Sequence, residues 1–151
     1  MSWRGRLAEL GIPLPPVAAP AGAYLPAVRT GSLVFTAGQL PLVDTVVAAT
    51  GKVGAEIDVQ TAQQLARTCA LNALAAVDAL VGLDSVTRVV KVVGFVASAP
   101  GFTGQPAVLN GASDLLGDVF GAAGAHARSA VGVAELPLGA PVEVELVVEV
   151  T

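Results

Sequence analysis

The stretch from His126 to Val150, HARSAVGVAELPLGAPVEVELVVEV, constrains the fold more than any other part of the chain. Its second half alternates: Val142, Val144, Leu146, Val148 and Val150 fall on one face of a strand, and Glu143, Glu145, Val147 and Glu149 on the other. The first half sets Ser129, Val131 and Val133 against Arg128, Ala130, Gly132 and Ala134, so Arg128 projects from a face otherwise stripped of bulk. Between the halves lie Leu136-Pro137-Leu138-Gly139-Ala140-Pro141, whose glycine and prolines suit a connection between antiparallel strands. The expectation is a terminal hairpin closing near Leu138 and Gly139, with Arg128 opposite Glu149. At ~3.3 Å per residue, Glu143 would then lie roughly 20 Å from Arg128 in the same chain.

Upstream, helical periodicity is clearest from Asp58 to Val81, where Val59, Ala62, Leu65, Ala66, Cys69, Ala73, Leu74, Val77, Leu80 and Val81 recur at three-to-four spacing. Asp58 supplies the cap and Gly82 the stop. A second helix is expected over 106–120, with Pro106 in its first turn and Gly111 and Gly117 weakening it. Between the helices, the nearly continuous apolar run of 86–96 reads as a central strand covered on both faces. Residues 24–29, 33–36 and 46–53 read as a strand meander turning first at Thr30-Gly31-Ser32. This order predicts an α+β fold: a mostly antiparallel sheet with helices on one face.

The residues divide into an N-terminal arm, 1–20, and a single α+β domain, 21–151. The arm holds one or two helical turns over Trp3–Leu10, then a proline-stiffened extended segment expected to pack on the surface. Only 13% of residues are charged and the mean hydropathy is +0.71, too little polar surface for a monomer, so another subunit is expected to cover an apolar face. The net charge of -4 and eight scattered Lys and Arg argue against a nucleic-acid surface. The glycines and prolines that break the charge-free stretch from Val92 argue against a membrane span, and a lone cysteine without a secretory pattern points to the cytoplasm.

Candidate chemistry is sparse. One His, one Cys and one Tyr are too few for a catalytic triad or a His-based metal cluster, so no metal and no covalent mechanism is expected. Cys69 falls in the apolar stripe of its helix and reads as a small buried hydrophobe; His126 sits in a Gly-Ala-rich loop and reads as structural or solvent-facing. Lys52 and Lys91 lack the desolvated context of a Schiff-base lysine. Gly38, just past Leu33-Val34-Phe35, would let a ligand or another backbone approach closely. Arg128 offers a planar, permanently charged fork that suits a carboxylate.

Three segments in order carry a family resemblance: Ala21-Gly22-Ala23-Tyr24, Phe35-Thr36-Ala37-Gly38-Gln39-Leu40-Pro41, and the run Ala127-Arg128-Ser129-Ala130-Val131 with Leu136-Pro137 and Val142-Glu143-Val144-Glu145. Together they resemble the motifs of the Rid family of reactive-intermediate deaminases, also called YjgF, in its longer branch with an N-terminal extension. The resemblance implies a homotrimer of chorismate-mutase-like α+β subunits, without a cofactor, that hydrolyses 2-imino or enamine acids to 2-keto acids and ammonia. It also implies the roles: Arg128 binds the substrate carboxylate, Gly38 and the backbone near Ala130 orient imine and water, Tyr24 walls the pocket, and Glu143 positions or activates water. With the hairpin register it implies a pocket between subunits, Glu145 and Glu149 being substitutes for Glu143 if the register slips. Ala130 stands where well-known members carry Cys, which implies a roomier, less polar pocket. A non-catalytic trimer that binds a small carboxylate is the alternative, and the endoribonuclease activity attached to some family names fits the acidic charge least.

Overall fold

The computed structural model describes residues 2–151. A five-stranded sheet in the order β1-β2-β7-β5-β6 carries two long helices on one face. Its strands are β1 (Ala27–Thr30), β2 (Leu33–Thr36), β5 (Val86–Ala97), β6 (Ala127–Val133) and β7 (Val142–Val150); β3 (Leu42–Val43) and β4 (Val46–Val47) form a separate ribbon. All neighbours pair antiparallel except β5 and β6, which run parallel, so the mixed α+β sheet agrees with the sequence expectation.

Each helix forms for local reasons. α2 (Val59–Val81) starts where the Asp58 carboxylate accepts from Thr61 N and ends at Gly82, whose φ of 80° a side chain would disfavour. Its stripe of Ala62, Leu65, Ala66, Cys69, Ala73, Leu74 and Val77 is buried against the sheet. α3 (Gln105–Phe120) crosses α2 where Gly111 leaves no room for a Cβ, which would meet the Gln63 carbonyl, so a glycine that weakens the helix intrinsically is what lets the two helices touch. Gly94 does the same for α3 and β5, since a Cβ there would strike Leu109. α1 (Trp3–Glu9) docks on this layer: Leu7 is buried, Trp3 meets the Phe120 ring edge-on with centroids 5.1 Å apart, and the Trp3 indole donates to Val86 O at 2.7 Å.

Three expectations are corrected. The terminal hairpin does not form: β6 pairs only with β5, and β7 inserts between β2 and β5. Every second residue of β7 from Val142 to Val150 is buried, and such a strand gains most as the middle of the sheet, whereas β6 is mostly half-buried or exposed and takes an edge. The segment read as a tight turn instead carries the chain across the end of β5, held by Ser98 N to Val133 O and Ala97 N to Pro141 O. Arg128 is consequently opposite Val92, not Glu149. The meander is also shorter than expected. β1 and β2 form its hairpin, but residues 46–53 leave the main sheet after the β3–β4 turn, where Asp44 and Thr45 take positive φ. Finally, β5 is covered by the chain on one face only, with Arg88, Val90, Lys91, Val93 and Phe95 exposed or half-exposed on the other.

Candidate active site

The register fixes where each candidate residue projects. Arg128 lies opposite Val92 and Ala130 opposite Gly94, both on the helix-covered face of β5. Glu143 lies opposite Phe95, which in turn faces Val131, and these belong to the uncovered face. Arg128 and Glu143 therefore occupy opposite faces of the sheet within one chain, separated by β5. The chain gathers two half-sites.

The first surrounds Arg128 in the groove between β6 and α3. Arg128 Nη1 donates to Asn110 Oδ1 at 2.9 Å and to Ser113 Oγ at 3.1 Å, and Nη2 donates to Pro106 O at 3.2 Å. A guanidinium has five N–H donors, so the two without a partner among the described residues belong to Nε and Nη2, neighbouring atoms on one edge of the fork. That edge is what a carboxylate engages bidentately. Ala130 sits one step along the same face beside Gly94, and Gly132 follows, with no room for a Cβ between it and Gln105 Nε2. The floor of the groove is thus built from small residues.

The second half-site is Gly38 with Glu143. Residues 37–39 are fastened by Ala37 N to Pro26 O at 2.8 Å and by a reciprocal bridge, Gln39 N to Val144 O at 2.8 Å and Val144 N to Gln39 O at 3.0 Å. This lays Gly38 on the Glu143 carboxyl so closely that a Cβ would fall against Oε1 and 2.9 Å from Cδ. Burial pushes the Glu143 carboxyl above the usual carboxylate range, and the like charge of Glu145, two residues along the same face, adds to the rise. Glu149 lies on that face too but is exposed, opposite Leu33 and Arg88. Tyr24 is exposed in the loop before β1, its hydroxyl accepting from Ala21 N at 3.1 Å.

Sequence reasoning missed the residues that hold Arg128. Asn110 and Ser113, three residues apart on α3, are the signal it could have used, since residues at that spacing share a face of the helix. His126, expected to be structural or solvent-facing, is bonded through both ring nitrogens, to Ser113 Oγ at 2.9 Å and to Gly124 O at 2.6 Å. Cys69 is buried as expected, its sulfur 3.6 Å from Val142 O, and burial pushes its thiol well up. Lys52 pairs with Glu135 at 3.0 Å. A cavity of about 360 Å³ lies between Leu33, Arg88, Glu149, His126 and Ala127, beside the start of β6. Among the described residues no group of His, Cys, Asp and Glu gathers as metal ligands, and no described helix is long and apolar enough to cross a membrane.

A mixed five-stranded sheet with two long helices on one face is the α+β fold of the YjgF-type structures. The sequence profile of the endoribonuclease L-PSP family, which is the YjgF or Rid family, matches residues 16–150, and the chain belongs to that family. It is 50% identical over 145 residues to Protein TCP17 of Trypanosoma cruzi, covering 95% of this chain and 91% of that one. The crystal structure of Atu1372 from Agrobacterium tumefaciens, 46% identical, superposes with a TM-score of 0.90 over 99% of this chain and 92% of that one. TdcF of E. coli, solved with bound serine, is 28% identical with a TM-score of 0.64 over 91% and 94% of the two chains.

Proposed function

We propose that this protein hydrolyses 2-imino and enamine acids to 2-keto acids and ammonia, in pockets formed between the subunits of a homotrimer. The observation that carries the reading is the state of Arg128: three of its N–H groups hold the side chain against α3, and one N–H on Nε and one on Nη2 have no partner among the described residues. An arginine held in place by neutral acceptors keeps its full charge for an incoming anion, and orientation before binding lowers the entropy lost on binding. The serine bound by TdcF is an α-amino carboxylate, which matches the kind of group such an edge would hold.

Glu143 supplies the other half. In the proposed reaction a water oxygen bonds to C2 of the imino acid while the carboxylate takes its proton. The C=N π pair moves to nitrogen, which receives that proton, and the C–N bond of the resulting carbinolamine breaks as the C2 hydroxyl gives up its own proton, by way of the same carboxylate, to the departing nitrogen, leaving the keto acid and ammonia. A carboxyl raised above its ordinary range is closer to the pH at which such transfers are efficient. Because Arg128 and Glu143 lie on opposite faces of one sheet, a single chain does not present both to one small molecule, whereas a neighbouring subunit can supply the missing half. The uncovered face also carries Val28, Phe35, Val90 and Val131, large apolar side chains that a subunit contact would bury.

The test is keto-acid and ammonia release from imino acids generated in situ by an amino-acid oxidase. Acceleration by the wild-type protein that falls about 100-fold or more in Arg128→Ala is the expected result, in line with loss of a bidentate charged contact. No acceleration by a folded, oligomeric protein across a panel of imino acids refutes the deaminase and leaves a small-carboxylate-binding protein.

A further inference from the structure

The geometry points to His126 and Ser113 as a relay that positions Arg128, a role that deepens the proposed function and rests on Arg128 being the carboxylate anchor. The relay begins at Gly124, which is pressed on the end of α3 so that a Cβ would strike the Leu116 carbonyl. Its own carbonyl oxygen therefore stands at a fixed point, 2.6 Å from His126 Nδ1. A carbonyl only accepts, so Nδ1 carries the ring proton, and in the neutral imidazole Nε2 is left as an acceptor.

Nε2 lies 2.9 Å from Ser113 Oγ. The hydroxyl has one proton, which it donates in a hydrogen bond to the ring nitrogen. Ser113 is thereby prevented from bonding back to the carbonyl of its own helix turn, the usual partner of a helical serine. Its lone pairs are aimed outward, and Arg128 Nη1 donates to them at 3.1 Å. Each link has one direction: Gly124 fixes the tautomer, the tautomer fixes the hydroxyl, and the hydroxyl fixes one side of the guanidinium. Asn110 and Pro106 hold the other contacts, so the free edge of Nε and Nη2 is oriented by α3 as a whole. Removing the relay leaves the charge in place and loosens its aim.

The test combines binding of pyruvate, a 2-keto acid of the product class, with side-chain NMR on the intact oligomer. Nitrogen shifts of His126 in mildly alkaline buffer are expected to show the proton on Nδ1, and Arg128 Nε to be as ordered as the backbone. Ser113→Ala and His126→Phe should each raise the pyruvate Kd and the imino-acid KM about tenfold, with kcat within about twofold, as expected for loss of one hydrogen bond to a charged group. The double variant should be no worse than either single one, because both break one chain, and Ser113→Thr, which keeps the hydroxyl, should restore binding. A proton on Nε2, unchanged Arg128 order in Ser113→Ala, or additive losses in the double variant would overturn the relay. If the wild type neither binds pyruvate nor turns over imino acids, the deaminase reading fails, while the tautomer and the Arg128 order still decide the relay.

Discussion

Replacing Gly38 by alanine should separate catalysis from stability. The backbone there is not in the left-handed region, so alanine meets no conformational objection, and the three nearest atoms a Cβ would meet all belong to the Glu143 side chain. The Glu143 carboxyl carbon would stand 2.9 Å from the new Cβ, against the ~3.5–4.0 Å at which carbon atoms rest. It must therefore retreat by roughly 0.6–1 Å, with its nearer oxygen moving further. Rotation about the flexible side chain allows this at little cost, and the unfolding free energy should change by less than about 1 kcal/mol. For a group that must meet a proton, a displacement near 1 Å costs about 100-fold in kcat, or ~2.7 kcal/mol of barrier. The assay is imine hydrolysis by Gly38→Ala in two backgrounds, wild type and Glu143→Ala. In the second the obstacle is gone, and the alanine should have no further effect on the residual rate. A Gly38→Ala protein with wild-type kcat, or one that loses as much in the Glu143→Ala background, refutes the coupling.

Other outcomes follow from the same geometry. A base works only when ionised, so the rate should fall as pH drops through the raised Glu143 value; Glu145→Gln removes a like charge and should move that acid limb to lower pH, and an unmoved limb in the pH–rate profile would contradict the assignment. Gly111→Ala places a Cβ against the Gln63 carbonyl, 2.7 Å from its carbon; backbone cannot swing aside, so urea unfolding should show a loss of about 1–3 kcal/mol, and an unchanged midpoint would be incompatible with the close crossing of α2 and α3. The Cys69 thiol, pushed up first by burial and then by the nearby Glu143 charge, should be silent to a disulfide reagent in the native protein and react once in denaturant, whereas rapid native labelling would contradict its burial.

The helices were legible because their information is local. Asp58 and Gly82 mark both ends of α2, and the periodicity between them specifies a face without reference to anything else in the chain. Strand partners carry no such local mark. The alternation of β7 was read correctly, as was the projection of Arg128 and Ala130 from one side of β6. Which face of β6 corresponds to which face of β7 depends on β5 lying between them, and nothing within 126–150 encodes that. The contrast between an unbroken buried row in β7 and the small residues of β6 was the available clue to centre and edge. It was outweighed by prolines and a glycine that make a tight turn and a longer crossover look alike. Of the site, Arg128, Gly38 and Glu143 came from motifs, and the structure places Gly38 on Glu143. The spacing of Asn110 and Ser113 marks a shared face of α3 but not what that face meets, because these supports of Arg128 lie with Pro106 15 to 22 residues away along the chain and reach it only through the fold.

The placement of β7 has a bearing on how the molecule is made. Without residues 142–150, the remaining strands fall into two unconnected pairs, β1 with β2 and β5 with β6. Neither pair is a sheet on which α2 and α3 could both settle, and two-stranded units are marginal alone. Residues 142–150 therefore close the structure: until they are in place, the facing edges of β2 and β5 stand open on either side of an empty lane. A growing chain in that state offers two templates for strand addition, and its protection from aggregation depends on the arrival of nine residues.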